Sequence, residues 1–186
     1  MALFRKFTDW LRLRLWERKH GRIQQVTVLT KPVVCFGKEL EFSLPPGFRL
    51  YSKSGSALYF ESAFLHVTVM RVPFHRHLHT LTVRELVMYF RYVLPVLSMP
   101  EMERGYLRHS PKITAEWDTR AADLRTNRAA LCMIEVQHTA YVFLITGTKK
   151  AVENFAAVIL ASVQVHPERV DARMKAECSR RGPHTE

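Results

Sequence analysis

The sequence predicts an α+β fold: an antiparallel sheet with helices packed against it, preceded by an N-terminal amphipathic helical arm. Three observations carry this reading. Short β-prone runs punctuated by Pro, Gly and Ser fill much of the chain from residue 24 to 73 and again from 112 to 147. Two segments, opening at Thr82 and Thr148, switch to the helical apolar period with a capping residue in front. The resulting order is helix, strand cluster, helix, three-strand meander, helix, the arrangement of helices layered on a sheet.

Residues 3–18 form the arm. Leu3, Phe4, Phe7, Trp10, Leu11 and Leu15 follow the i, i+3, i+4 rule, while Arg5, Asp9 and Arg12 face the other way. Arg14 and Arg18 intrude on the apolar stripe, Leu13 and Trp16 fall on the polar side, and Gly21 supplies a stop. Strands are then expected over Gln25 to Leu29, Glu39 to Leu44, Phe48 to Tyr51, Ala57 to Glu61 and Phe64 to Val72. Turns at Pro45-Pro46-Gly47 and Ser52-Lys53-Ser54-Gly55 separate them, and Pro73 closes the last. Thr82 and Glu85 have capping-box spacing, and Val83, Leu86, Val87, Phe90, Val93 and Leu94 line one face of the helix they open, up to Pro95. Met99 to Arg108 reads as a loop or short turn. Lys112 to Trp117, Ala129 to His138 and Ala140 to Gly147 read as successive antiparallel strands, with hairpin points at Thr126-Asn127-Arg128 and His138-Thr139. Thr148 caps a last helix over Lys149 to Val163, with Val152, Phe155, Ala156, Ile159 and Val163 inward. The polar segment past Pro167 has room for a short helix but no apolar stripe. The expected division is a basic arm at 1–22, a domain at 23–167 and a polar C-terminal tail at 168–186. Phe42, Val67, Val69, Phe90, Ile134, Phe143, Phe155 and Ile159 are expected to be buried together.

The chain has 186 residues, enough for one ordinary domain, and its 47% apolar share excludes disorder throughout. Its longest charge-free apolar stretch, starting at Phe155, falls short of the roughly 18 to 20 residues a bilayer span needs. Twenty-eight Lys and Arg against seventeen Asp and Glu leave a net charge of +11, which favours anionic partners. Residues 1–22 hold seven of the basic residues against Asp9 and Glu17, so the arm is the one concentrated patch. Arg12 and Arg14 interrupt any secretory apolar core, whereas an Arg-rich, acid-poor amphipathic helix is import-like. Cys35, Cys132 and Cys178 make an odd, widely spaced set, neither a disulfide framework nor a metal pair, and point to a reducing compartment.

Glu41-Phe42-Ser43-Leu44-Pro45-Pro46-Gly47-Phe48 reads as a strand ending in a Leu-Pro-x-Gly turn. Thr80-Leu81-Thr82 leads into the middle helix, and the strand Tyr141 to Gly147 leads into Phe155 to Val163. Over residues 38–166 this set resembles the PsbP-like superfamily, whose members include an extrinsic photosystem subunit, a Ran-binding nuclear-import factor and bacterial DcrB-like proteins. The resemblance implies an α+β sandwich and a protein-binding rather than catalytic role. It has no shared catalytic residues to transfer, and the basic arm lies outside it.

No residue pattern composes an active site. The nucleophile elbow, the P-loop and the dinucleotide glycine pattern are all absent. His75, His77 and His79 have metal-like spacing but fall between Pro73 and a helix cap, where a solvated basic loop is the expected structure. His66 reads as a surface or satisfied histidine, and Glu116 and Asp118 as a solvated strand face. Arg120, Arg125 and Arg128, with Trp117 nearby, are the candidates for RNA contact through phosphate pairing and stacking. For partner binding the candidates are Phe4, Phe7, Trp10, Leu11, Arg5 and Arg12.

The sequence therefore predicts a non-catalytic structural or adaptor subunit of a larger protein assembly, docked through its basic N-terminal helix and a sheet face, in the mitochondrion. No cofactor, metal or small-molecule substrate is expected. Two alternatives stay open: an RNA-contacting, ribosome-associated subunit, and a cytosolic or cytoskeletal adaptor or chaperone. An anionic membrane surface is a further possible ligand for the arm, through Phe4, Phe7, Trp10 and Trp16.

Overall fold

Residues 31–90, 99–119 and 127–181 are described by a computed structural model. The arm and the strand expected at Gln25 to Leu29 lie outside the described residues, as does the helical extension expected from Val93 to Pro95. Ten strands form two antiparallel sheets. A small sheet has the order β1 (Lys31–Cys35), β2 (Leu40–Leu44), β10 (Gln164–Val165). A seven-stranded sheet has the order β3 (Arg49–Lys53), β4 (Ala57–Glu61), β5 (Leu65–Pro73), β9 (Thr139–Gly147), β8 (Arg128–Val136), β7 (Ser110–Asp118), β6 (Glu101–Leu107).

Three of these strands, β1, β6 and the two-residue β10, go against the sequence expectation. β6 occupies the segment read as a loop, because Glu101, Glu103, Arg104 and Gly105 hide any alternation. It is an edge strand, held through its ladder with β7 rather than by apolar burial. β1 went unread because of Pro32, which a strand tolerates at a sheet edge, where β1 lies. By contrast β8 and β9 are buried along nearly their whole length, as strands covered on both faces must be. Their hairpin turns at Gln137 and His138, both left-handed with φ of 45° and 58°, one residue earlier than the sequence suggested.

The two faces of the large sheet have separate cores. One face carries Val67, Val69, Ile134 and Phe143 and is covered by the small sheet and by helix α2 (Lys149–Ala161). Phe42, Phe155 and Ile159 complete this core. The other face carries Ile113, Trp117, Leu131 and Leu144. It is covered by a 3-10 turn (Leu78–Thr80) and helix α1 (Val83–Phe90). All eight expected core residues are buried, but Phe90 belongs to this second core and not with the other seven.

Local chemistry fixes the helix ends. At α1 the Thr82 amide and hydroxyl both donate to the Glu85 carboxylate at 2.8 Å, and the Glu85 amide donates back to the Thr82 hydroxyl at 3.3 Å. Arg76 pairs with the same carboxylate. These donors, Arg76 first and Thr82 second, hold the Glu85 carboxyl down at about 2. Because the folded value lies below the ordinary carboxylate value, this cap stabilises the protein above pH ~4.5 and loses that contribution as pH falls toward 2. An NMR titration of the Glu85 side chain is expected to show a midpoint near 2, and a midpoint near 4 would mean the cap is open in solution.

Thr148 caps α2 by accepting from the Ala151 amide. At the other end the Ser162 hydroxyl accepts from the Ser43 amide at 2.9 Å, stitching the helix to β2. Gly147, between β9 and this cap, permits a close crossing: a Cβ there would lie 2.3 Å from the Phe64 carbonyl oxygen.

The segment expected to trail as a polar tail is, through Arg181, a fifteen-residue helix, α3 (Pro167–Arg181). Val170 is fully buried and Met174 packs against the first core. The stripe that holds α3 includes Arg173, whose burial is made possible by a carboxylate from elsewhere in the chain, so no apolar period shows in the sequence.

Candidate functional site

Of the residues singled out from the sequence, Phe4, Phe7, Trp10, Leu11, Arg5 and Arg12 lie outside the described residues, and so do Arg120 and Arg125. Arg128 opens β8 and donates to Asp118 and to Glu116, both at 3.0 Å. The two carboxylates are about half exposed, as a solvated strand face should be, and through Arg128 they also clamp β7 to β8. Trp117 points to the opposite side, where it is 2% exposed against the second core and presents no ring face for stacking. The three histidines of the His75 to His79 run have separate surroundings. His77 meets Glu135 at 3.1 Å, His79 lies against the Tyr106 ring, and His75 borders a cavity. Among the described residues no cluster of three or more His, Cys, Asp or Glu has metal-holding geometry.

Among the described residues, the one concentration of buried charge escaped the sequence reading. After β1 the backbone at Phe36, Gly37 and Lys38 is left-handed, with φ of 50°, 68° and 68°. This tight turn delivers Glu39 inward, where it is 3% exposed. Its carboxylate accepts from the Tyr141 hydroxyl at 2.6 Å and from Arg173 Nε at 2.7 Å. Arg71 Nη1 stands 3.4 Å from both of its oxygens. The remaining Arg173 nitrogens donate to the Thr139 hydroxyl at 3.0 Å and to Glu177 at 3.1 Å. β5, β9, α3 and the β1–β2 turn therefore meet in one network. A buried carboxylate needs such partners, because desolvating it alone is prohibitive.

Two further groups respond to this environment. Burial first, and the Glu39 hydrogen bond second, push the Tyr141 phenol far above its ordinary value, so it stays protonated and acts as a donor. Burial, with Glu39 adding to it, pushes the Cys35 thiol up to about 12, which makes it an unreactive small hydrophobe rather than a nucleophile. The Phe36 ring lies under the Arg71 guanidinium at 5.3 Å and beside the Tyr141 ring at 6.2 Å. The only warning in the sequence was a charged residue, Glu39, directly before an alternating strand.

On the same face of the large sheet, β6 and β7 extend beyond the cover of α2. Glu101, Glu103 and Glu116, with Thr114 and Leu160, line an open groove of about 540 Å3 there. Glu101 and Glu116 sit directly opposite each other in the ladder, an unfavourable pairing that Arg128 relieves from the next strand. On the outer side of α1, Met88 and Tyr89 are each more than half exposed.

No protein-family model matches the chain, and neither does any of the curated proteins it was compared with. Solved structures do match. The solution structure of cyanobacterial PsbP (CyanoP) from Synechocystis sp. PCC 6803 superposes with a TM-score of 0.58 at 12% identity, over 76% of this chain and 96% of that one. A crystal structure from Bacteroides thetaiotaomicron VPI-5482 is a looser likeness, with a TM-score of 0.42 at 8% identity, over 75% of this chain and 49% of that one. The antiparallel sheet with its packed helices is therefore a PsbP-like α+β fold.

Proposed function

We propose that the chain is a non-catalytic adaptor or structural subunit of a larger protein assembly, attached through its basic N-terminal helix. One observation carries this: residues 1–22 combine the densest positive charge in the chain with Phe4, Phe7, Trp10 and Leu11 on one stripe. An apolar stripe left exposed is a liability in a free monomer and an asset at an interface. Aromatic anchors supply most of the energy of such interfaces, and flanking arginines set orientation and encounter rate. The acidic groove of β6 and β7, opposite in charge to the arm, offers a second surface to the same assembly. The import-like character of the arm supports a mitochondrial location for the assembly.

The test replaces Phe4, Phe7, Trp10 and Leu11 together with serine and leaves the charges in place. In native extracts the substituted chain is expected to leave the high-mass fraction and run as a free subunit. A separate exchange of Arg5 and Arg12 for glutamate is expected to weaken the association and reduce its salt sensitivity. Retention of both variants in the high-mass fraction contradicts the reading. A fluorescent fusion located outside mitochondria contradicts the compartment alone.

A further inference from the structure

The buried network forms the floor of a cavity of about 500 Å3, open to solvent, which the docking reading does not use. We propose that this cavity binds a small organic acid: a carboxylate on an apolar body, held by Arg71 with His75 and His138 at the rim.

The argument starts from how the two guanidiniums are satisfied. Arg173 has all three nitrogens committed, to Glu39, Thr139 and Glu177. Glu39 spends its short hydrogen bonds on Arg173 and Tyr141. Arg71 reaches that carboxylate only at 3.4 Å through Nη1, and among the described residues its other guanidinium nitrogens donate to nothing. It is the undercompensated cation of the network. Its side chain is 26% exposed and borders the cavity. The Phe36 ring at 5.3 Å fixes the guanidinium, so an anion would meet a preorganised donor fork.

The rim adds to this. β5 and β9 pair Arg71 with Tyr141 and Pro73 with Thr139. Just beyond that pairing the Phe74 amide donates to the His138 carbonyl at 2.8 Å. This bond ties the segment carrying His75 to the hairpin carrying His138, and both imidazoles border the cavity. Pro73 and Met174 supply an apolar wall, and the Glu177 carboxylate, which also lines the cavity, is neutralised by Arg173. A volume in the range of roughly 300 to 1,000 Å3, mostly apolar with a few convergent polar groups, suits a small ligand. A bare inorganic ion would leave the apolar wall unused, and a cation would face Arg71 directly.

The proposal is independent of the N-terminal arm, and so is its test. The full-length protein is titrated with benzoate, benzyl alcohol and benzylamine, followed by NMR. Benzoate is expected to bind saturably and to shift resonances of His75, His138 and Thr139, with the other two probes about ten-fold weaker or worse. Arg71→Met is expected to weaken benzoate about ten-fold or more, because it removes a charge-assisted donor. His75→Glu, at an exposed position away from the buried network, is expected to weaken it as well. If Arg71→Met does not fold, the ranking of probes and His75→Glu decide the matter. Absence of saturable benzoate binding, equal binding of the three probes, or undiminished binding by either folded variant overturns the proposal.

Discussion

Phe155→Ala is expected to lower the unfolding free energy by about 3 to 5 kcal/mol, the loss typical of a large aromatic deleted from a close-packed core. Phe155 is 2% exposed on the inner face of α2, with the Phe64 ring centroid 6.3 Å from its own. The site cannot collapse readily. On one side stands the sheet pair β8 and β9, buried along nearly its whole length, and on another the small sheet, tied to the helix through Ser162 and Ser43. The measurement is denaturant unfolding of both proteins at a common slope. A loss under about 1 kcal/mol would show that α2 is not packed on the sheet in this way.

Glu39→Ala is expected to cost a comparable amount, about 3 kcal/mol, for a different physical reason. The carboxylate contributes little net stability as an ion pair, since its desolvation offsets most of the Coulombic attraction. Removing it alone leaves the Tyr141 hydroxyl and Arg173 Nε in a cavity without their acceptor, and that is the penalty. The double variant Glu39→Met with Arg173→Met is therefore expected to be more stable than Glu39→Ala, even though it removes more polar contacts. Equal losses from the single and double changes would show that the network contributes through direct attraction rather than by avoiding orphaned groups.

These two residues mark how far the sequence could be read. Phe155 announces itself, because Val152, Phe155, Ala156 and Ile159 repeat at helical spacing behind the Thr148 cap. The α1 start was equally legible in Thr82 and Glu85, since a capping box is a contact between residues three apart. Glu39 gives no such signal, because its partners Tyr141 and Arg173 lie 102 and 134 residues further along the chain. Periodicity detects one face of one element, while a buried charge is satisfied only after the sheet and α3 have come together. The same reason hides α3, where Arg173 sits in a position that an apolar residue would normally hold. β6 was missed because edge strands carry charges that blunt aggregation, and those charges erase the alternation by which strands are read. The second core went unresolved because a strand buried on both faces looks uniformly apolar, so Phe90 could not be assigned to a side.

The central claim, a self-sufficient PsbP-like domain that joins its assembly through a separate basic helix, is tested most directly by deleting residues 1–22. Thermal unfolding and native mass are then measured on the same preparation. The account predicts a melting temperature within about 2 °C of the full chain, corresponding to less than about 1 kcal/mol for a protein of this size, together with complete loss of the high-mass form. A truncated chain that still enters the high-mass form, or one that no longer folds, would contradict it.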